Sequence, residues 1–212
     1  MENYELARTI LGNDFITPEE VMKSCREITY TKEQLAIFRR TIPGQEILEW
    51  CRDNNYLLIA GPSWVMSLNS IEEMIGGFRN VQPSYITGRP RSKVKTKWYM
   101  IRKDIVPGSV SKNLEEQVAL ISGDDFVPND AELAWVMRIF KEVRGICLFD
   151  KIVVRTISNG IDQDYRDKTA IGSSRNGLVV VIYRAGDEHF GFSDTAGYEE
   201  LGLSVARKWP EG

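Results

Sequence analysis

The sequence lacks the residues that several kinds of active site require. It has one histidine, His189, and three widely spaced cysteines at positions 25, 51 and 147. One imidazole excludes zinc sites built on two or three histidines, and no Cys-x-x-Cys pair exists to form a zinc ribbon. The odd number and wide spacing of the cysteines argue against a disulfide framework. We therefore expect no metal site, no cofactor and reduced thiols, with Cys25 and Cys51 buried on apolar helix faces.

Long hydrophobic runs and phosphate-binding motifs are also absent. The longest apolar run is the six residues from Leu178 to Tyr183, whereas a membrane-spanning helix needs about 20. The first residues are acidic and polar, unlike the basic and then apolar start of a secretory signal. Neither GxxxxGK[ST] nor GxGxxG occurs. We expect a cytoplasmic protein that does not enter a membrane and uses neither of these nucleotide-binding loops.

The composition is that of a folded protein with little net charge. Of the 212 residues, 42% are hydrophobic and 10% aromatic, and 27 Lys and Arg face 30 Asp and Glu for a net charge of -3. This apolar content suffices for a core and argues against intrinsic disorder. Because the net charge is slightly negative, any binding to a polyanion must depend on a local patch. We expect one domain over residues 1–212, in which residues 1 to about 55 can form a helical subdomain.

Capping signals predict most of the helices. Thr17-Pro18 with Glu20 marks a helix start, and Thr31 with Gln34 marks a second. A third helix follows the Pro43-Gly44 break, and Ser70 with Glu73 indicates a short one before Gly76-Gly77. Further along, Asn113 with Glu116 and Asn129 with Glu132 predict two more helices, and Gly145 is suited to end the second.

Strand patterns concentrate in the later part of the chain. We predict strands at 56–60, 94–101, 152–157, 178–184 and 188–192, the last two joined by a turn at 185–187. Residues 158–177 are predicted as a polar loop, although a loop of that length is unusual in a compact domain. The fold class is therefore α+β: a helical N-terminal part, then a small, mostly antiparallel sheet with two further helices packed on it.

Charge segregation is the strongest functional signal. The window from Met74 to Lys103 contains basic residues and no acidic one. Its cations and its aromatic residues resemble in composition a surface on which phosphates pair with lysines and unstacked bases stack on rings. The candidate anion- or nucleic-acid-binding residues are Arg89, Arg91, Lys93, Lys95, Lys97, Trp98, Tyr99, Arg102 and Lys103, within a contact region that begins at Arg79.

The same pattern has a structural explanation. Lysines at 93, 95 and 97 alternate with Val94, Thr96 and Trp98, as in a half-exposed strand. Lysines on such a strand also prevent edge-to-edge pairing with other sheets. The first hypothesis is a non-enzymatic binding protein that uses residues 85–103 to contact an anionic partner such as nucleic acid, and the alternative is edge protection.

A second hypothesis is a hydrolase or transferase. Three carboxylates in the polar loop, Asp162, Asp164 and Asp167, together with His189, are the weak catalytic candidates. A carboxylate beside an imidazole can make a general base, and catalytic groups often lie on loops. The spacing fails the calcium-loop pattern because Asp167 occupies the position that requires glycine. A solvated polar loop is the simpler interpretation.

Other features admit both structural and functional interpretations. Gly61-Pro62-Ser63-Trp64, between a strand and a helix, fits a plain turn better than an anion site. Asp124 and Asp125 after Gly123 can bind magnesium but also suit a turn. A third hypothesis is a structural subunit with a protein partner, in which tryptophans anchor an interface. The candidate anchors are Trp50, Trp64, Trp135 and Trp209.

Overall fold

The computed structural model describes residues 2–75, 78–80, 92–112, 114–149, 152–156, 167–174, 177–184 and 200–208. The helices are α1 (Glu2–Leu11), α2 (Pro18–Ser24), α3 (Lys32–Arg40), α4 (Gln45–Asp53), α5 (Leu68–Ile75), α6 (Leu114–Val118) and α7 (Asp130–Arg144), with a 3-10 turn at Gly12–Asp14. The strands are β1 (Phe15–Ile16), β2 (Tyr56–Ala60), β3 (Met66–Ser67), β4 (Phe78–Asn80), β5 (Lys93–Val94), β6 (Trp98–Arg102), β7 (Asp125–Phe126), β8 (Ile152–Thr156), β9 (Asp167–Ser174), β10 (Gly177–Arg184), β11 (Glu200–Leu203) and β12 (Ala206–Arg207).

Local hydrogen bonds begin the helices where the sequence predicts. Thr17, Thr31 and Asn129 each form a complete capping box with the side chain three residues later. Gly145 ends α7 in the left-handed conformation at φ 71°, as expected of a C-terminal glycine. The predicted cap at Ser70 is wrong, because α5 begins at Leu68 and the Ser67 hydroxyl accepts a hydrogen bond from the Ser70 amide.

The first sheet has the order β1-β2-β6-β12-β7. Strand β1 pairs with β2 in parallel, while the β2–β6, β6–β12 and β12–β7 pairs are antiparallel. The chain between β1 and β2 forms α2, α3 and α4, which is the kind of crossover that a parallel pair requires. The two-stranded sheet β3–β5 is antiparallel.

The second sheet has the order β11-β8-β9-β10-β4. Its β8–β9 and β9–β10 pairs are antiparallel, and its outer pairs β11–β8 and β10–β4 are parallel. The α+β class is confirmed, but the sheets are mixed. Most of the described strand pairs are antiparallel, as expected, and three parallel pairs make both five-stranded sheets mixed rather than purely antiparallel.

Part of the predicted 158–177 loop is a strand. Strand β9 runs antiparallel to β10, with Asp167 opposite Arg184 and Ser174 opposite Gly177. The abundant polar residues and glycine concealed a strand that neighbouring strands stabilise on both sides. Residues 158–166 and the predicted turn and strand at 185–192 lie outside the described residues.

Helix α7 lies at the centre of the fold. It contacts α2, α5, β5 and two strands of the second sheet, β9 and β10. Its N-terminal two-thirds are almost wholly buried, including Trp135, whose indole N–H donates to the Ala60 carbonyl at 3.0 Å. Buried residues of α2, α3 and α4 belong to the same hydrophobic cluster as β2, β6 and α7. The first helices thus share a core with the first sheet.

Candidate anion-binding site

The basic segment does not form one continuous strand. Residues Lys93–Val94 pair with β3, the chain turns at residues 95–97, and Trp98–Arg102 enter the first sheet. The cations at 93–97 therefore lie at one end of β6, and Arg102 and Lys103 lie at the other, about 15–20 Å away along an extended chain. The structure divides the predicted stripe into two separate groups. Arg89 and Arg91 lie outside the described residues.

Trp98 and Tyr99 belong to the core, so their predicted role as exposed stacking surfaces is wrong. Strand β6 lies between β2 and β12, and every residue from Trp98 to Ile101 is buried. The Trp98 indole donates to the Phe38 carbonyl at 2.9 Å and packs edge-on against the Phe38 ring. The predicted half-exposed alternation therefore fails, because elements distant in sequence cover both faces of β6.

Arg102 and Lys103 each form an ion pair with an acidic neighbour. The Arg102 guanidinium contacts the Asp104 carboxylate at 2.5 Å, and the Lys103 ammonium contacts Asp14 at 2.6 Å. The Lys103 amide also donates to the Asn55 carbonyl at 2.9 Å. Lys103 thereby ties the end of β6 to Asp14, whereas the Arg102 side chain is paired locally, two residues along the chain.

Lys97 is partly neutralised by an acid of α7. Its ammonium lies 3.8 Å from Oε1 of Glu132 and 4.9 Å from the centre of the Tyr99 ring. Burial raises the pKa of Glu132, and the cap hydrogen bond and the nearby lysines oppose the rise only in part. Lys97 thus stabilises a buried carboxylate and offers less charge to a partner than its position in the sequence suggests.

Lys93 and Lys95 are different, because both side chains are exposed. Neither ammonium forms an ion pair with another residue in the part of the chain that the structure describes. We call them the exposed lysine pair. Among the predicted cations that the structure describes, these two are the exposed ones, and the charge of Lys95 also acts on Glu132.

The backbone under the exposed lysine pair is held firmly. The Asn129 side-chain amide donates to the Lys93 carbonyl at 3.2 Å, and Lys93 pairs with Ser67. The Lys95 amide donates to the Tyr99 hydroxyl at 2.7 Å, and that hydroxyl lies 3.2 Å from the Lys95 carbonyl. Burial raises the pKa of Tyr99, so its hydroxyl stays protonated near neutral pH. Tyr99 positions the segment and does not meet a partner.

Gly61 allows the segment to come close to β2. Its amide donates to the Lys97 carbonyl at 2.8 Å, and a Cβ placed on Gly61 would lie 2.2 Å from the Lys95 carbonyl oxygen. No side chain fits there. The Gly61-Pro62-Ser63-Trp64 stretch is therefore a turn that abuts the lysine segment, as the plain-turn interpretation holds.

A set of exposed apolar residues lies on neighbouring elements. Trp64 is 44% exposed, Val65 57% and Ile37 46%. The side-chain amide of Gln34, one turn before Ile37 on α3, donates to the Ser63 carbonyl at 2.5 Å and so joins the two segments. Trp64 was a candidate interface anchor. The sequence gives no sign that the Trp64 segment neighbours the lysine segment, because only the pairing of β3 with β5 brings the two segments together.

Of the other interface candidates, Trp209 lies outside the described residues, and Trp135 and Trp50 differ in their surroundings. Trp135 is fully buried. Trp50 is partly buried and lies under the Arg207 guanidinium, 3.8 Å from the ring centre. Arg207 also pairs with Asp124 and Asp125, each at 3.3 Å. Asp124 and Asp125, which the sequence offers as magnesium ligands, thus belong to a turn and an ion-pair network.

The structure does not test the hypothesis of a catalytic site built from carboxylates and His189. Asp162, Asp164 and His189 lie outside the described residues. Asp167 is the first residue of β9. Within the described ranges, no group of three or more His, Cys, Asp or Glu residues is arranged to hold a metal ion. The catalytic candidates remain predictions from the sequence.

The thiols at 25 and 51 are buried and free, as expected. Burial raises the pKa of Cys25 to about 11 and that of Cys51 to about 12, so both are protonated near neutral pH. No helix among the described residues has the length and apolarity needed to span a membrane. Comparisons of the chain with protein families, with curated proteins and with solved structures find no match.

Proposed function

We propose that this is a non-enzymatic, cytoplasmic binding protein whose exposed lysine pair contacts an anionic partner such as nucleic acid. The observation that carries the proposal is the contrast among the cations of one segment. Lys97, Arg102 and Lys103 have acidic neighbours within 4 Å, whereas Lys93 and Lys95 are exposed and form no ion pair among the described residues. The reduced, buried thiols at 25 and 51 support the cytoplasmic location.

The fixed backbone strengthens the proposal. Ordering a flexible loop on binding costs conformational entropy, and a segment that is already ordered avoids that cost. Lys93 is held by β3 and by the Asn129 side chain, and Lys95 is held by the Tyr99 hydroxyl. The two ammonium groups are therefore presented on one prepared surface. Edge protection alone does not require this support, because it needs only charge on an exposed strand.

The test is a binding titration with a matched charge control. Fluorescence anisotropy of a labelled single-stranded oligonucleotide is measured at two salt concentrations with the wild type, with K93Q/K95Q and with R102Q/K103Q. Both variants remove two positive charges. Two phosphate contacts predict a slope of about -1.4 for log K against log[salt]. We expect K93Q/K95Q to weaken binding roughly tenfold or more at low salt and to flatten this slope.

The control separates local contact from bulk charge. R102Q/K103Q should bind like the wild type, because these side chains are paired with acids at the far end of β6. Equal weakening by both double variants would show that net charge alone acts and would defeat the proposal. Absence of binding at low salt would leave edge protection as the role of these lysines.

A further inference from the structure

Residues 61–66 and residues 94–97 form two neighbouring segments that are joined at both ends, and Trp64 and Lys95 lie between the two connections. At one point the Gly61 amide donates to the Lys97 carbonyl at 2.8 Å. At the other, Met66 of β3 pairs with Val94 of β5. The segments run in opposite directions, so residues 62–65 lie alongside residues 95 and 96. Continuing the β3–β5 register places Val65 opposite Lys95.

The side chain of Trp64 is exposed on the segment that runs alongside the lysine segment. Its exposed fraction is 44%, and the indole forms no ring contact with another described residue. The preceding carbonyl, that of Ser63, is fixed by the Gln34 side chain at 2.5 Å. An exposed aromatic ring therefore lies on an ordered turn, and the backbone of this turn neighbours the segment that carries the exposed lysine pair.

We propose that Trp64 stacks on an unpaired base of a single-stranded nucleic acid while Lys93 and Lys95 contact the adjacent phosphates. This inference rests on the proposed function and names its partner class. Aromatic rings in positively charged grooves bind single strands in this way, because every base has a face that can stack. In a duplex the faces are already stacked on neighbouring base pairs, so Trp64 selects single strands over double strands.

The size of the apolar surface favours a base over a protein partner. Trp64, Val65 and Ile37 are each about half exposed, which corresponds to roughly 250–300 Å² in total. A standard protein interface needs about 800 Å² from each partner. One stacked base needs a single ring, and the neighbouring lysines match its phosphates. An acidic peptide is the competing partner, and the test includes it.

The experiment compares anionic probes that differ in their bases. Anisotropy titrations use labelled dT12, a twelve-unit abasic strand with the same phosphates, and a twelve-base-pair duplex. A twelve-residue glutamate peptide serves as competitor. We expect the wild type to bind dT12 at least fivefold more tightly than either the abasic strand or the duplex, and the glutamate peptide to displace dT12 poorly.

Variants assign the difference to the ring. W64A should raise the Kd for dT12 to the abasic value and leave the abasic Kd unchanged. W64F should retain most of the preference, because phenylalanine also stacks. K93Q/K95Q should weaken binding to both strands. Circular dichroism and thermal unfolding establish that each variant is folded.

The outcomes distinguish the two proposals. Equal affinity for dT12 and the abasic strand would overturn base stacking while the charge-based function stands. Equal competition by the glutamate peptide would likewise overturn nucleic-acid selectivity. Absence of binding to every probe would overturn the proposed function itself. A preference for dT12 that survives in W64A would assign stacking to another residue and reject Trp64.

Discussion

The Tyr56 hydroxyl donates a hydrogen bond to Oδ2 of Asp125 at 2.8 Å, across 69 positions in the sequence. It links β2 to β7, which β6 and β12 separate in the sheet. Burial raises the pKa of Tyr56, and the bond to the Asp125 carboxylate adds to the effect, so the hydroxyl remains a donor near neutral pH. The other carboxylate oxygen accepts from Arg207 at 3.3 Å.

Removing the Tyr56 hydroxyl tests this link. Y56F should lower the free energy of unfolding by about 1–2 kcal/mol, because Asp125 then keeps Arg207 but loses its buried donor. D125A should cost more, since it leaves both the Tyr56 hydroxyl and the Arg207 guanidinium without this acceptor. Urea unfolding of the two single variants and the double variant measures the coupling. Strict additivity of the single effects would show that the two groups do not interact.

Gly61 should tolerate no side chain. G61A places a Cβ 2.2 Å from the Lys95 carbonyl and 2.8 Å from the Lys97 carbonyl, so the backbone must shift. We expect a loss of about 3 kcal/mol or more, at or above the upper range for overpacking. G44A is the matched control, because nothing lies within 4 Å of a Cβ there and its φ of -68° suits any residue. Similar melting temperatures for the two variants would contradict the close approach.

Glu132 should make stability depend on pH in a defined direction. Burial raises its pKa in the folded protein above 4.5, although the Asn129 amide and the charges of Lys97 and Lys95 oppose the shift and Asp130 adds to it. Between 4.5 and the folded value, the native state binds more protons than the unfolded state. The contribution of Glu132 to stability therefore falls as pH rises through that window.

E132Q removes the titration while glutamine can still accept the cap hydrogen bond from Asn129. We expect the stability of E132Q relative to the wild type to increase from pH 4 to pH 7. Urea unfolding at intervals across that range measures the free energy of unfolding of both proteins. The contributions of the other titrating groups are common to both proteins and cancel in the difference. A difference that is constant, or that decreases with pH, would show that the folded pKa is not raised.

Substitutions of Trp98 and Trp64 should have different effects on the stability of the protein. W98A should destabilise the protein by about 3–5 kcal/mol, because it empties a core position and removes the hydrogen bond to the Phe38 carbonyl. W64A should cost less than about 1 kcal/mol, since its ring is half exposed. Thermal and urea unfolding provide both values. A large loss in W64A would place Trp64 in the structural framework.

Helix starts were predictable because their signals are local. Thr17, Thr31 and Asn129 each bond a residue three positions away, and that spacing is visible in the chain. The burial of Trp98 was not predictable from its alternation with lysines. It depends on the rings of Tyr4, Phe15 and Phe38, which are distant in sequence and pack against the Trp98 indole. The parallel strand pairs escaped prediction for the same reason.

The sequence predicted the region of the candidate site but not which of its residues are exposed. A window without acids is apparent in the sequence, and it contains the exposed lysine pair. Which lysines are paired depends on Asp14 and Glu132, which reach Lys103 and Lys97 only after folding. Trp64 lies outside the basic window. Its nearness to Lys95 follows from the Met66–Val94 register, which composition does not reveal.

The position of β12 has a consequence for biosynthesis. Ala206 pairs with Ile101 of β6 and with Phe126 of β7, so residues 206 and 207 connect those strands. A chain emerging from the ribosome that has not reached residue 206 leaves one edge of β6 open and β7 without its partner. Open strand edges attract other chains. Pairing of β6 and β7 through this sheet therefore cannot be completed until residues 206 and 207 have been synthesised.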